Sequence, residues 1–252
     1  MLARIDFNCD LGEGCNDAAV IPYISSANIA CGLHAGDLET MQRTVALCLA
    51  HGVAVGAHPS FDDREHFGRL EMACSPEDVH VLVRGQIRTL AQIAKLQGAR
   101  LRHVKPHGAL YNKAARDRDL SEAIAHAVHD VDPGLILFGL SGSALTAAGE
   151  HAGLQVAHEV FAERRYEADG RLTPRNLPGA VIDDLDAALA QVRMLVRDGR
   201  VIARTGESVP LRADTLCLHG DRADAAEFAR AVRAVLHGDG IEVVRPSAGI
   251  DA

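Results

Sequence analysis

The architecture this sequence predicts is a single distorted (β/α) barrel of about seven parallel strands spanning residues 1–252. Three observations predict it. Short apolar runs alternate with amphipathic helical segments along the chain, the pattern of a parallel sheet with helical crossovers. Seven such units in 252 residues average about 36 each, the scale of a barrel's repeating unit. Polar residues gather at the ends of nearly every strand, whereas a doubly wound open sheet, the competing architecture, concentrates them at one switch point. No linker-like or low-complexity stretch divides the chain.

Each element has its own local reason. Arg4–Asp10 reads as the first strand and Ala27–Cys31 as the second. A helix starts at Leu38, with Leu38, Met41, Val45 and Cys48 on one face, Asp37 as its cap and Gly52 as its stop. Val53–His58 is the third strand. Ser75-Pro76-Glu77-Asp78 combines a capping residue, Pro at the first helical position and an acid three residues after the Ser. The helix it opens carries Val79, Leu82, Val83, Ile87, Leu90 and Ile93 on a core stripe and stops at Gly98.

Leu101–His107 is the fourth strand, followed by a helix over Leu120–Val128. Leu135–Leu140 is the fifth strand, Ala144–His151 a helix and Leu154–Phe161 the sixth strand. A Pro- and Gly-bearing loop, Asp169–Gly179, leads into a helix over Leu185–Arg197. Val201–Pro210 reads as a small hairpin around Thr205-Gly206, and Thr215–His219 as the seventh strand. The last helix runs through Phe228, Val232 and Leu236, and Ile241–Val244 reads as a short eighth strand.

Composition excludes several functions. Asp and Glu outnumber Lys and Arg by 34 to 26, a net charge of −8, so the surface repels a nucleic-acid backbone. Three Tyr, six Phe and no Trp leave little for base stacking. No run of about 18 apolar residues is present to span a membrane. The six Cys are scattered without a C-x-x-C pair, and the opening MLARIDFNCD has no apolar leader. Free thiols and a cytoplasmic location are therefore expected.

Strand residues two apart share a face. Asp6, Asn8 and Asp10 therefore point one way, as do His103, Lys105 and His107, and as do Cys217, His219 and Asp221. Barrel interiors are ordinarily filled by Val, Ile and Leu, so three polar inward faces indicate a site, and barrel sites lie at the carboxyl ends of the strands. Glu13, His34, Asp37, His58 and Glu159 extend the strand-end set. Of thirteen His, six (His51, His80, His126, His129, His151, His237) fall on helices and carry no such message.

Two chemistries fit these residues. Asp10 with His58 and another His (His34, His107 or His219) forms a candidate divalent-metal set, although no HExxH motif accompanies it. Alternatively, the carboxylates and His work as acids and bases while Lys105 stabilises an oxyanion, holds a substrate carboxylate or titrates low and acts as a base. Arg69 and Arg164-Arg165 on loops are suited to gripping an anion. The chain has no G-x-x-x-x-G-K-[ST] nucleotide loop.

Several longer motifs are collinear with a known family. Asp6-Phe7-Asn8-Cys9-Asp10-Leu11-Gly12-Glu13, Ser26-Ala27-Asn28-Ile29-Ala30-Cys31-Gly32 with His34-Ala35-Gly36-Asp37, and Gly56-Ala57-His58-Pro59 resemble the 5-oxoprolinase A-subunit family, also called the lactam-utilisation LamB/YcsF family. Val104-Lys105-Pro106-His107-Gly108-Ala109-Leu110-Tyr111-Asn112, Glu159-Val160-Phe161-Ala162, Arg165-Tyr166 and Cys217-Leu218-His219-Gly220-Asp221 extend the resemblance to about residue 245. Leu33, Glu163 and His66-Phe67-Gly68-Arg69-Leu70 depart from the family's usual pattern.

The resemblance implies a seven-stranded barrel similar to polysaccharide deacetylases. It implies ATP-coupled opening of the 5-oxoproline (pyroglutamate) lactam to L-glutamate, with ADP and phosphate formed, in company with two further subunits, B and C. With no Walker loop here, ATP is expected as a cosubstrate on a partner subunit. The expected catalytic residues are Asp10, Glu13, His58, Lys105 and His107. The expected substrate contacts are Asn8, Asn28, His34, Asp37, Arg69, Tyr111, Glu159, Arg165, His219 and Asp221. A divalent metal stays open, with Asp10, His58 and His107 as its candidates. The rival functions are a stand-alone metal-dependent amidohydrolase or deacetylase and a non-catalytic regulatory subunit that binds a small anion.

Overall fold

Seven parallel strands close on themselves in the computed structural model, which describes residues 3–221 and 223–246. The outer limits of the expected domain, residues 1–2 and 247–252, lie outside the described residues. In chain order the elements are β1 (Arg4–Leu11), α1 (Asp17–Val20), β2 (Ser26–Ala30), α2 (Leu38–His51), β3 (Ala54–His58), α3 (Pro76–Leu96), β4 (Leu101–Val104) and α4 (Gly108–Ala114). They continue as α5 (Arg118–His129), β5 (Ile136–Leu140), α6 (Ala144–His151), β6 (Gln155–Phe161), α7 (Leu185–Asp198), β7 (Arg200–Ile202), β8 (Ser208–Pro210), β9 (Thr215–His219), α8 (Ala225–Gly238) and β10 (Glu242–Val243).

Strands β1 to β6 pair in sequence, and β9 pairs in parallel with both β6 and β1 to close the ring. This is the barrel that the sequence predicts. The predicted hairpin is the β7–β8 pair, and the short eighth strand is β10, which pairs with Arg4 and Ile5. The predicted caps also form. The Asp37 side chain accepts from the Thr40 N–H at 2.8 Å, Gly52 ends α2 with φ 66°, and Ser75 and Asp78 cap each other reciprocally.

Three elements differ from the sequence reading. Regular β4 ends at Val104 because Pro106 has no N–H, although Lys105 and His107 still donate to the carbonyls of Ala57 and Pro59. Helix α4 begins directly after His107; seven residues are too few to show a helical period. The stretch between β6 and α7 is more ordered than a loop, with antiparallel bridges Arg164–Val181 and Tyr166–Leu172.

Two different interiors result. The outward faces of the strands, for example Ile5, Phe7, Cys9 and Leu11 on β1, are fully buried under the helices. Burial of each large side chain contributes about 1.5–3 kcal/mol, and this outer layer is the main hydrophobic core. Inside the ring, Ile136, Phe138 and Ala157 form a separate small apolar cluster. His103 stacks on Phe138 with ring centroids 4.3 Å apart. Its ring fits only because position 56 is glycine, where a Cβ would lie 2.1 Å from His103 Nε2.

At the amino-terminal end of the barrel, Asp6 accepts hydrogen bonds from the hydroxyls of Ser25, Ser26 and Thr215 at 2.6–2.8 Å. Burial raises its pKa to about 6 against the opposing pull of these hydroxyls. An acid with a raised folded-state pKa stabilises the fold below its unfolded pKa, and that stability is lost as pH rises through the folded value. Asp6→Asn removes this loss. Urea unfolding at pH 4 and pH 7 should show the variant gaining on wild type by up to about 3 kcal/mol between the two. A constant difference between the two pH values would overturn the assignment.

Candidate active site

The polar half of the barrel interior is organised around Lys105. Its ammonium reaches from β4's extension across the barrel to Asp10 Oδ1 at 2.8 Å, Glu159 Oε1 at 2.9 Å and Cys217 Sγ at 3.0 Å. Strands β1, β6 and β9 supply those three partners. Asn8 and Asn28 tie the group together. Asn8 Nδ2 donates to Glu159 Oε1 (3.0 Å) and to Thr215 Oγ1 (2.6 Å), and Asn28 Nδ2 donates to Asn8 Oδ1 (2.7 Å) and Asp10 Oδ1 (2.8 Å). His103 Nε2 bonds Asn28 Oδ1 at 2.8 Å.

Charge states follow from these contacts. Burial works against charge on both Asp10 and Lys105. The His58 and Lys105 charges nevertheless hold Asp10 well below the usual carboxylate range, and Asp10, Cys217 and Glu159 hold Lys105 well above its ordinary value. The expectation that Lys105 titrates low is therefore overturned: its histidine neighbours on the strand matter less than the carboxylates across the barrel. Glu13 is pushed up by burial and by the nearby charges of Asp10 and Asp221. Burial lowers His34 to about 3 and carries His107 well below its usual value, with His58 adding to both.

Above this floor lies a cavity of about 550 Å³. Asp10, Glu13, His58, Lys105, His107, Arg69, Tyr111 and His219 line it, so the structure brings together all five expected catalytic residues and three of the expected substrate contacts. Asn8, Asn28 and Glu159 are buried among the floor's hydrogen bonds, and His34 Nε2 reaches Glu13 Oε1 at 3.0 Å. Asp221 pairs with Arg69. Asp37 caps α2 and Arg165 pairs through its backbone with Ala180; neither lines the cavity.

The far wall comes from the bridged segment after β6, through Arg164, Thr173 and Arg175. Arg164 donates to the carbonyls of Thr173 (2.7 Å) and Ala180 (3.3 Å), and burial, with Arg175 beside it, lowers its pKa to about 10. Two adjacent residues of an extended segment point to opposite sides, so only one of Arg164 and Arg165 can face the cavity. Thr173 and Arg175 carried no motif that would have singled them out. Nearby, the buried Tyr111 hydroxyl faces the Glu159 carboxylate, and the Thr173 hydroxyl faces Glu167.

Among the described residues, two side-chain groups offer metal-ligating atoms within 4.8 Å of one another: Glu13, His34, His58 and His107, and Asp10, Cys217 and His219. His219 is turned by Nδ1 toward Glu163, and its charge keeps the Glu163 pKa low against burial.

A parallel barrel with titratable side chains clustered at its strands' carboxyl ends is a (β/α)-barrel protein with a candidate active site. The chain belongs to the LamB/YcsF family, whose profile matches residues 5–250. It is 55% identical over 249 residues to the 5-oxoprolinase A subunit of Bordetella pertussis, covering 96% of this chain and 99% of that one. The crystal structure of the lactam utilization protein from Thermus thermophilus superposes with a TM-score of 0.90 at 46% identity, over 96% of this chain and 100% of that one. The catalytic domain of a peptidoglycan N-acetylglucosamine deacetylase from Eubacterium rectale reaches 0.56 at 10% identity, over 98% of this chain and 90% of that one, a likeness of fold alone.

Lys105→Met leaves Asp10 and Glu159 buried without their cation. Breaking a buried pair in this way costs about 3–5 kcal/mol, so urea denaturation at neutral pH should show a loss of that size. A loss below about 1 kcal/mol, typical of an exposed pair, would show that Lys105 does not hold the floor together.

Proposed function

We propose that this chain is the A subunit of an ATP-dependent 5-oxoprolinase and supplies the lactam-opening site, releasing L-glutamate in concert with subunits B and C. The carrying observation is a cavity with two unlike ends: a carboxylate, lysine and histidine floor and an arginine-bearing wall. A small lactam with a carboxylate has the matching polarity. Its carboxylate meets Arg164 and Arg175, and its ring amide lies over Lys105 and Asp10. The names of the family's relatives support the same substrate.

An unactivated amide resists water, so the reaction needs prior activation of the carbonyl together with stabilisation of developing charge. In this reading ATP activates the lactam oxygen on a partner subunit. One water adds to the activated carbon, and the C–N bond breaks with a proton delivered to nitrogen. A second water releases phosphate, so one ATP and two waters give ADP, phosphate and glutamate. Asp10, Glu13, His58, Lys105 and His107 supply acid, base and charge-stabilising groups for these steps.

Glutamate release from 5-oxoproline and ATP should appear when this chain is mixed with both partner subunits. Arg175→Ala should raise KM for 5-oxoproline about tenfold or more, the effect of losing one charge-assisted hydrogen bond, while changing kcat little. No glutamate from well-folded mixtures would defeat the proposal. Deacetylation by the chain alone would favour the rival hydrolase.

A further inference from the structure

Two backbone carbonyls fix the hydrogen count at the histidine cluster. His58 Nδ1 lies 2.7 Å from the Lys105 carbonyl oxygen, and His107 Nε2 lies 2.9 Å from that of Phe67. A carbonyl only accepts, so both of these nitrogens carry protons. The remaining nitrogens, His58 Nε2 and His107 Nδ1, are 2.9 Å apart. In two neutral rings each presents a lone pair to the other, and only a further proton or a cation reconciles them.

Glu13 Oε1 completes the group, 3.4 Å from His107 Nδ1 and 3.8 Å from His58 Nε2. Ligands bound at about 2.0–2.1 Å stand about 3.3 Å apart around a tetrahedral ion. The three observed separations bracket that value. His34 belongs outside this set. Its ring stacks on His107 with centroids 3.8 Å apart and planes 5° from parallel, so no single ion lies in both ring planes. His34 Nε2 instead contacts Glu13 Oε1 at 3.0 Å and orients that carboxylate.

The surroundings also fit a cation. Two buried carboxylates, Asp10 and Glu159, face the ammonium of Lys105, and a third carboxyl group, Glu13, lies against the histidines; all three side chains are at most 5% exposed. Phe67, whose carbonyl receives His107, has φ 57° and is the only non-glycine with positive φ among the described residues. Backbone strain of this kind persists where surrounding structure imposes it, here holding a carbonyl against one ring. Gly68 next to it admits no side chain, since a Cβ would stand 2.8 Å from His107 Cδ2.

We propose that Glu13, His58 and His107 form a binding site for a divalent first-row transition ion of the Zn²⁺ type, with His34 and the carbonyls of Lys105 and Phe67 orienting the three ligands. An imidazole–carboxylate set suits such ions, and carbonyl or carboxylate contacts to the far side of each ligand are what metal sites ordinarily carry. The ion supplies Lewis acidity to an oxygen in the cavity. In that case Glu13, His58 and His107 serve as ligands rather than as acids and bases.

The test uses the full chain, stripped with a chelator and then loaded with Zn²⁺ or Co²⁺. Elemental analysis after gel filtration should find one Zn²⁺ per chain. The Co²⁺ form should show visible d–d bands without a thiolate charge-transfer band. His107→Ala and Glu13→Gln should lose the retained ion, whereas Cys217→Ser should keep it, with circular dichroism confirming each fold. If a variant unfolds, the wild-type cobalt spectrum decides. Substoichiometric metal in the folded wild type would overturn the site, as would full retention by both folded ligand variants. A thiolate band would also overturn it, by moving the ion to Asp10, Cys217 and His219. Ion retention is read without 5-oxoproline or ATP, so failure here leaves the ring-opening proposal standing.

Discussion

The ammonium of Lys105 is the charge on which the rest of the interior depends. It enters the barrel from β4 and neutralises carboxylates delivered by β1 and β6, strands that are not β4's neighbours in the sheet. Around it, Asn8 and Asn28 direct their amide protons to Glu159, Thr215, Asn8 and Asp10, leaving their oxygens for Lys105 and His103. Each of these contacts pairs a donor with an acceptor, and a buried polar network so connected favours one arrangement. Remove the cation, and two carboxylates lose their counter-charge together.

A barrel with so polar a centre cannot draw its stability from that centre. Buried ion pairs seldom outweigh the cost of dehydrating their charges. The stabilising work falls to the outer layer, where the opposite faces of the same strands pack against the helices. The two-residue repeat separates the tasks: Phe7 and Cys9 pack outward, while Asn8 and Asp10 serve the interior. This separation lets the floor carry strained or costly features, such as the Phe67 backbone and the His103 ring against Gly56, without endangering the fold.

The same repeat explains what was legible in the sequence. Strand order, caps and inward-facing residues are local or periodic properties, and Asp10, Lys105 and His107 could be placed on inner faces from alternation alone. Partnership across the barrel is not periodic. Nothing in the sequence near Lys105 announces Asp10 or Glu159, which lie 95 and 54 positions away, so His103 and His107 suggested a depressed lysine where the opposite holds. Arg164 and Arg165 were indistinguishable until the bridge to Val181 set the phase of their segment. Asp37 illustrates the converse: a residue inside a strongly characteristic motif whose side chain caps a helix.

The net charge of −8 takes on a different meaning in this setting. A predominantly acidic chain can admit an anion only where cations are concentrated, and the segment after β6 concentrates them at the cavity wall with Arg164 and Arg175, near Arg69. The cationic side chain deepest in the cavity, Lys105, is already matched by carboxylates and has no spare charge to attract a ligand from a distance. On the proposed function, recruitment and chemistry thereby fall to different groups. In that reading Arg164 and Arg175 meet the substrate's negative charge at the wall, while the charge of Lys105 is already balanced by Asp10 and Glu159.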